Sequence, residues 1–195
     1  LGTTGLKGVL LDSCGAVIAE AALDTDYLQP APGLFECDPH VLYGKVCDLI
    51  RKLAAHANDD ITALAMAGAT GNTLLTDQSG KPLTRIISWM DRRAETKPPA
   101  VLKSLNTATV HEITGWPCID IFPLAHLAWL RENRPDIYGA AAHCGMDSDW
   151  LLYRLTGKWR LDHSTATTFR LQHQETGTYH RPFLDMLNIP ESKLS

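Results

Sequence analysis

The sequence lacks the features that mark nucleic-acid-binding, membrane and secreted proteins. Its 195 residues carry 18 lysines and arginines against 22 aspartates and glutamates, a formal net charge of −4. This balance excludes the basic surface that DNA, RNA or an anionic membrane attracts. No apolar run has the length of a membrane span, and the N-terminus has no signal-peptide pattern. These absences predict a cytoplasmic protein with no nucleic-acid partner and no membrane partner, whose ligands are small metabolites.

Paired metal ligands are missing as well. The chain has five cysteines and eight histidines, but no CxxC pair and no cysteine–histidine spacing typical of a zinc site. The cysteines are therefore predicted to be reduced, partly buried thiols, and no metal ligand is assigned. They are Cys14, Cys37, Cys47, Cys118 and Cys144.

The residues that are present predict one α/β domain. With 45% hydrophobic and 21% charged residues, the chain can bury a sizeable core. Strand and helix patterns alternate without an internal repeat or a clear linker. The predicted strands are a hairpin of residues 8–11 and 16–23, a buried strand at 61–68 that ends in a small-residue loop, and strands at 72–76 and 83–89.

The predicted helices have clear start and stop signals. Asp38 is an N-cap followed by proline at the first helical position, so a helix is expected to run to about His56. Its inner side would carry Val41, Leu42, Val46, Leu49, Ile50 and Leu53. A charged helix opens at 91–93, and further helices are predicted at 123–132, 147–155 and 183–187.

The first residues form a turn that suits an anion. In Gly2, Thr3, Thr4 and Gly5, the glycines allow backbone N–H groups to approach a phosphate, and the two hydroxyls add donors. A simple hairpin turn with surface threonines has the same pattern.

Five segments taken together resemble the FGGY carbohydrate kinases, the family of glycerol, xylulose, ribulose and gluconate kinases. They resemble, in order, the family's Asp-x-Gly-Thr-Thr/Ser phosphate loop and its Gly-x-x-Glu-x-Asp-Pro, Trp-x-Asp-x-Arg, Trp-Leu-x-x-Asn-x-Pro and Asp-x-Leu-x-x-x-Leu-Thr-Gly segments. The matching residues are LGTT at 1–4, PGLFECDP at 32–39, SWMDRRA at 88–94, WLRENRP at 129–135 and DWLLYRLTG at 149–157. The resemblance covers essentially the whole chain.

The resemblance implies an actin-like, ribonuclease-H-like fold in two lobes, with sugar bound mostly by the first lobe and ATP by the second. Residues 1–195 are expected to be an incomplete amino-terminal, sugar-binding lobe, truncated at both ends. A magnesium-associated aspartate is expected before Leu1, and a general-base aspartate and the ATP-binding lobe beyond Ser195, so the chain alone is expected to be inactive. With ATP and Mg²⁺, the full-length parent would phosphorylate a hydroxyl of a sugar, sugar acid or polyol.

The resemblance also assigns the phosphate side of the site. Gly2, Thr3 and Thr4 would approach the transferring phosphoryl group, and Lys7 would neutralise phosphate as a point charge. The alternative for Lys7 is a solvated strand lysine. The other expected partner is the ATP-binding lobe of the same protein, and a homodimer is left open.

Residues Ala69, Thr70 and Gly71 stand where family members grip the substrate. Glycerol kinases carry an Arg-Glu pair there and xylulose kinases a Met-His pair, and this sequence has neither. A pentulose or an aldonate, such as xylulose or gluconate, is therefore preferred over glycerol. Thr70 and Asn72 can hydrogen-bond a polyol or simply cap a tight turn.

Three further residues are candidates for contact with the sugar. Trp89 would cover its apolar face, with plain core packing as the alternative, and Asp91 would accept hydroxyl protons or act as a helix N-cap. Asp120 stands where relatives bring a Tyr or Arg to the substrate, next to Ile121, which cannot hydrogen-bond. Asp149 heads a helix and is predicted to be a cap or structural anchor.

Two other classes of protein stay open. An actin-like or chaperone-like ATPase would consume ATP without sugar, although the Trp-x-Asp-x-Arg and Leu-Thr-Gly segments argue against it. A stand-alone sugar-binding module would bind its ligand tightly without ATP, whereas an incomplete kinase lobe should bind it weakly.

Overall fold

The computed structural model describes residues 1–117 and 120–195, and the thiol predicted for Cys118 lies outside them. The chain divides into two compact units. The first consists of Leu1–Tyr27 and Cys37–Ala69, and the second of Leu28–Glu36 and Thr70–Ser195. Both units contain helices, and strands occur in each, so the α/β class predicted from the sequence is confirmed.

The strands among the described residues are short apart from the first two. They are β1 (Gly5–Leu11), β2 (Val17–Asp24), β3 (Tyr27–Leu28), β4 (Glu36–Cys37), β5 (Leu74–Thr76), β6 (Ile86–Ile87) and β7 (His143–Gly145). The helices are α1 (Pro39–Ala54), α2 (Arg93–Thr96), α3 (Ala100–Lys103), α4 (Thr107–Thr114), α5 (Phe122–Asn133), α6 (Pro135–Ala140), α7 (Asp147–Thr156), α8 (His163–Thr167) and α9 (Arg181–Leu187), followed by a 3₁₀ turn at Glu191–Lys193. None of the helices in this described part is both long and apolar enough to cross a membrane.

The predicted hairpin of the first unit is confirmed. Strands β1 and β2 pair antiparallel, with Gly5 opposite Asp24 at the open end. The connecting turn is held by Asp12, whose Oδ1 accepts from the backbone N–H groups of Cys14 and Ala16 at 2.8 Å each. A side chain that satisfies two turn donors fixes the register from within the loop.

Helix α1 begins where its cap predicts. The Asp38 carboxylate accepts from the N–H groups of His40 and Val41, and Pro39 occupies the first turn. Its buried stripe includes Leu42, Val46 and Leu49. Val41, predicted for the inner side, is 44% exposed. The buried residues repeat every three or four positions from Leu42, and Val41 lies about 100° around the helix from Leu42.

The predicted strand at residues 61–68 is wrong. No strand is assigned there, and Ile61 and Leu64 are about half exposed, at 48% and 52%. A strand needs a neighbour that pairs with its backbone. Within the described residues, the backbone hydrogen bonds of this segment are those near its end, where the backbone nitrogen of Leu1 donates to the carbonyl of Ala67 and the N–H of Ala69 donates to the carbonyl of Leu1.

The core of the second unit is built around α5, which packs against α2, α3, α6 and α9. Leu124, Leu127 and Leu130 are buried on this helix. Strand β5 pairs antiparallel with β7, and the fully buried Trp150 of α7 donates from its indole to the carbonyl of Gly80 at 2.9 Å. The helices predicted at 123–132, 147–155 and 183–187 correspond to α5, α7 and α9.

Candidate functional site

The predicted phosphate loop is a tight turn in the first unit. The N–H of Gly2 donates to the carbonyl of Gly5 at 2.9 Å, which places Thr3 and Thr4 at the tip. Thr4 is exposed and Thr3 half-buried. The Thr25 hydroxyl donates to the carbonyl of Gly2 at 3.2 Å, so the residue that follows strand β2 supports the base of the turn.

Lys7 follows the turn on β1 and is exposed. Leu6 is buried, and Gly8 lies so close to helix α1 that an added Cβ would be 2.6 Å from a methyl carbon of Leu53. Because side chains alternate along a strand, Lys7 projects from the face opposite α1. Its ammonium group is therefore available to solvent on the open face of the hairpin.

In the first unit, Leu1 of the predicted phosphate loop is hydrogen-bonded to the segment that leads into the predicted substrate residues 69–71. The backbone nitrogen of Leu1 donates to the carbonyl of Ala67 at 2.7 Å, and the N–H of Ala69 donates to the carbonyl of Leu1 at 2.8 Å. A residue that donates to one residue of a neighbouring segment and accepts from the residue two positions later has the hydrogen-bond pattern of parallel strand pairing. The first unit thus brings Gly2 and Ala69, each predicted to bind a different part of the reactants, to neighbouring positions.

In the second unit, Asp91 is at the centre of an ionic network. Its carboxylate accepts four hydrogen bonds, from the N–H of Phe35 and from the N–H, Nε and Nη2 of Arg93, at 2.7–2.9 Å. The Arg93 Nη2 also donates to Oε1 of Glu36 at 2.7 Å, and its guanidinium lies 5.2 Å from the centroid of the Trp129 ring. Such bidentate, charge-assisted bonds are strong and directional.

These contacts give Asp91 a structural role. The residue is fully buried, and burial alone would raise its pKa. The hydrogen bonds and the positive charge of Arg93 outweigh burial and keep the pKa of Asp91 below its ordinary value. Protein donors engage both oxygens, so Asp91 anchors Arg93 in this structure, and its contact with a sugar stays a prediction. Asp91 is not the N-cap of α2, a position that Arg92 holds.

The ionic network joins two of the motif segments. Besides the Phe35–Asp91 bond, the N–H of Arg92 donates to the carbonyl of Gly33 at 2.8 Å and the N–H of Ser88 to that of Phe35 at 2.9 Å. The loop that precedes β4 and the loop that carries Trp89 are therefore held together at several points. Trp89 itself is half-buried.

Asn72 connects the Trp89 loop to helix α7. Its Oδ1 accepts from the backbone N–H of Trp89, and its Nδ2 donates to Oδ2 of Asp147, both at 2.9 Å. Asn72 is 1% exposed. The amide oxygen and nitrogen each have a protein partner, so Asn72 links Trp89 to Asp147, and its contact with a polyol stays a prediction.

Gly71 lies against an aromatic ring. It has a φ of +87°, and an added Cβ would be 2.0 Å from Cδ1 of Phe122. Phe122 also has a positive φ, of 70°, and the guanidinium of the buried Arg170 lies 4.2 Å from its ring centroid and 5.3 Å from that of Trp116. Strained backbone of this kind is often found at functional sites. Phe122 thus occupies the space that a side chain at position 71 would need.

The two other predicted contacts of this unit, Thr70 and Asp120, differ in exposure. Thr70 is half-buried, whereas Asp120 is exposed and borders the two residues outside the description. Ile121 is the N-cap of α5.

Two further polar groups are buried in this unit. His126 is fully buried, with Nδ1 2.8 Å from the hydroxyl of Thr73, and burial lowers its pKa to about 4. Burial raises the pKa of Asp149 to about 7. Its Oδ1 accepts from the N–H of Met146 at 2.7 Å, in agreement with the predicted role of helix anchor.

Sequence reasoning missed the partners of the predicted residues. Arg93 and Glu36 fall inside quoted motifs, but no local pattern pairs residues 57 positions apart. Asp147 and Phe122 had no distinguishing signal, since a carboxylate before a helix and an aromatic residue before a proline are common. No group of three or more His, Cys, Asp or Glu side chains in the described ranges is arranged to hold a metal ion.

Comparisons with known proteins agree with the motif resemblance. The family model described as FGGY family of carbohydrate kinases, N-terminal domain, matches residues 1–195. A glycerol kinase of Rippkaea orientalis is 30% identical over an alignment of 201 residues that covers 98% of this chain and 40% of that protein. The chain therefore spans about 40% of the length of this relative.

Two solved structures are similar over nearly the whole chain. A ligand-bound xylulose kinase from Lactobacillus acidophilus has a TM-score of 0.92 at 25% identity, covering 100% of this chain and 40% of that one. A gluconate kinase from the same organism has a TM-score of 0.92 at 26% identity, covering 99% and 39%.

Proposed function

This chain belongs to the FGGY family of carbohydrate kinases, and we propose that it is the sugar-binding part of a protein that transfers the γ-phosphoryl group of ATP to a hydroxyl of a sugar, sugar acid or polyol. One observation carries the proposal. Leu1, the first residue of the segment that resembles the phosphate loop, is hydrogen-bonded to Ala67 and Ala69 at 2.7 and 2.8 Å. Phosphoryl transfer depends mainly on placing donor and acceptor side by side, and this contact joins the segments assigned to each.

The phosphate side of the proposal uses the turn at the start of the chain. Thr3 and Thr4 lie at its tip, and the Gly2 N–H closes it. When bound, ATP would supply the phosphoryl group, and the hydroxyl and N–H groups at the tip would bind its oxygens. Lys7, exposed on β1, would add a positive charge. The described residues do not by themselves form a magnesium site, and the roles given to these four residues do not depend on that ion.

The sugar side of the proposal uses Trp89, Thr70, Gly71 and Asp120 of the second unit, and Ala69 of the first unit is a further candidate for contact with the substrate. An aromatic face suits the apolar C–H surface of a sugar, while hydroxyl, backbone and carboxylate groups suit its hydroxyls. Trp89 is the strongest of these candidates because the loop that carries it is held in place by the buried ion pair between Asp91 and Arg93.

We further propose a pentulose or an aldonate as the substrate, in preference to glycerol. The loop has no Arg-Glu pair, and Phe122 fills the space beside Gly71, so a longer side chain cannot enter without displacing that ring.

The test is sugar-dependent ADP release by the full-length parent, measured with xylulose, ribulose, gluconate and glycerol. Trp89→Ala should raise the KM for the accepted sugar about tenfold, because a stacked aromatic contact is lost. Trp159→Ala is the matched control, since Trp159 stacks on Tyr153 at 4.6 Å in the same unit. Wild-type kinetics of Trp89→Ala with every accepted sugar would remove Trp89 from the site, and ATP consumption without any sugar dependence would refute the kinase proposal.

A further inference from the structure

The amide of Asn72 is the point at which three segments of the second unit meet. It accepts from the backbone N–H of Trp89 and donates to the carboxylate of Asp147, which begins α7 75 positions later. We propose that Asn72 and Asp147 are positioning residues that set the place of Trp89, and thereby the affinity for sugar. This inference rests on the proposed function of Trp89.

The orientation of the amide follows from the chemistry of its neighbours. The backbone N–H of Trp89 can only donate, so Asn72 must turn its oxygen toward it. The Nδ2 group then faces Asp147, and since an amide NH₂ has no acceptor capacity, Oδ2 of Asp147 must accept. A flip of the amide would place donor against donor and lose both bonds. The bridge therefore has one stable arrangement.

The hydrogen-bonded bridge from Trp89 through Asn72 to Asp147 has two side chains that are buried, so water cannot readily replace their hydrogen bonds. Asn72 is 1% and Asp147 7% exposed. Thr73, the residue after Asn72, exchanges two backbone hydrogen bonds of 2.8 Å with Ile87. These bonds fix the backbone next to the bridge, and a shift of the Trp89 backbone would leave its N–H without the Asn72 acceptor at a part-buried position.

The carboxylate of Asp147 holds the Asn72 amide in place by accepting a hydrogen bond from it. Burial raises its pKa, and the bond from Asn72 acts in the opposite direction. Among the described residues, its Oδ1 has no hydrogen-bond partner. Asn72 is thus the side chain that engages this carboxylate in the described part of the chain. A change at Asn72 is expected to reach Trp89 through one hydrogen bond, and a change at Asp147 through two.

A reciprocal exchange in the full-length kinase tests the proposal. Asn72→Asp keeps an acceptor for the Trp89 N–H but sets two carboxylates against each other. We expect it to raise the KM for the accepted sugar about tenfold or more, with the KM for ATP within about twofold. Asp147→Asn preserves an acceptor oxygen toward Asn72 and should stay within about threefold of the unaltered enzyme. The double variant Asn72→Asp with Asp147→Asn restores a donor and an acceptor in exchanged positions, and should also return to within about threefold.

The result that overturns the proposal is an unchanged sugar KM in Asn72→Asp, or no recovery in the double variant. Because Asn72 is proposed to act through Trp89, adding Asn72→Asp to Trp89→Ala should have little further effect on the sugar KM, and independent effects that simply add would also overturn it. If Asn72→Asp does not yield folded protein, Asn72→Ala, which removes the acceptor of the Trp89 N–H, replaces it in the same measurements.

This design separates two failures. If Trp89→Ala leaves the sugar KM unchanged, the proposed function of Trp89 fails. If Trp89→Ala raises the sugar KM and the Asn72 variants do not, only the positioning role fails.

Discussion

Arg93→Met would remove the cation that holds two carboxylates while keeping a side chain of similar length and apolar stem. Arg93 is 7% exposed and Asp91 0%, and the side chain of Glu36 is 19% exposed. The substitution leaves Asp91 buried with only its two backbone donors, the N–H groups of Phe35 and residue 93. Removing one partner of a buried ion pair costs about 3–5 kcal/mol.

Arg92→Met is the matched control at the neighbouring position. Arg92 pairs with Glu95 at 2.6 Å, but the two side chains are 63% and 47% exposed. An exposed pair three residues apart on a helix contributes about 0.3–0.5 kcal/mol. Both variants replace an arginine by methionine, but only Arg93 is buried. Comparing them therefore separates the stability lost from the buried network from the effect of removing a positive charge in general.

Urea unfolding at pH 7 is the assay. With an m-value of about 2 kcal/mol per M, the midpoint of Arg93→Met should fall by about 2 M and that of Arg92→Met by about 0.2 M. The pKa of Asp91 lies below its ordinary value in the folded chain, so the stability it contributes is present above the unfolded pKa of about 3.9 and is lost as the pH falls through the folded pKa. The difference between Arg93→Met and the unaltered chain should therefore narrow below about pH 4. Equal losses in both variants, or a difference that does not narrow in acid, would refute the reasoning.

Two further predictions concern Gly71 and Asp149. Gly71→Ala should lower the free energy of unfolding by at least about 1 kcal/mol, because φ is +87° and the new Cβ would lie 2.0 Å from Phe122. Gly139→Ala on α6, where an added Cβ meets no heavy atom within 4 Å, should be neutral or stabilising in the same urea experiment, and equal losses would contradict the packing argument. Burial raises the pKa of Asp149 to about 7, so its contribution to stability is fully present below about pH 4 and is lost as the pH rises toward 7. Asp149→Asn keeps an acceptor for the N–H of Met146 and should flatten the pH dependence of the urea midpoint over this window, whereas an unchanged slope would show that the folded chain does not keep that proton.

Elements with local signals could be predicted from the sequence. Helix α1 follows from Asp38 and Pro39, because capping involves residues within one turn of each other. Helix α4 has comparable local signals, namely Asn106 as N-cap and Gly115 in the left-handed conformation after its end. The strand at 61–68 was predicted from an apolar run alone, and such a run forms a strand only where a neighbouring backbone pairs with it.

The candidate site could be predicted in its positions but not in its contacts. The motif resemblance pointed to Trp89 and Asp91, yet which of them faces a ligand depends on Arg93 and Glu36, and these meet only in the folded chain. Likewise, the sequence shows only that residue 71 is a glycine, whereas the structure shows that the ring of Phe122 occupies the space that a side chain at this position would need. Pairings over such distances leave no trace in local spacing.

The hydrogen bonds of the second unit reduce the number of residues that can contact a ligand there. Asp91 is occupied by Phe35 and Arg93, and Asn72 by Trp89 and Asp147. Buried polar groups that are already satisfied gain little from a ligand and lose their protein bonds to bind one. The charged residues of the Trp-x-Asp-x-Arg segment are therefore best understood as the support that holds the tryptophan, and sugar specificity should respond to changes at Trp89 more than to any gain or loss of charge beneath it.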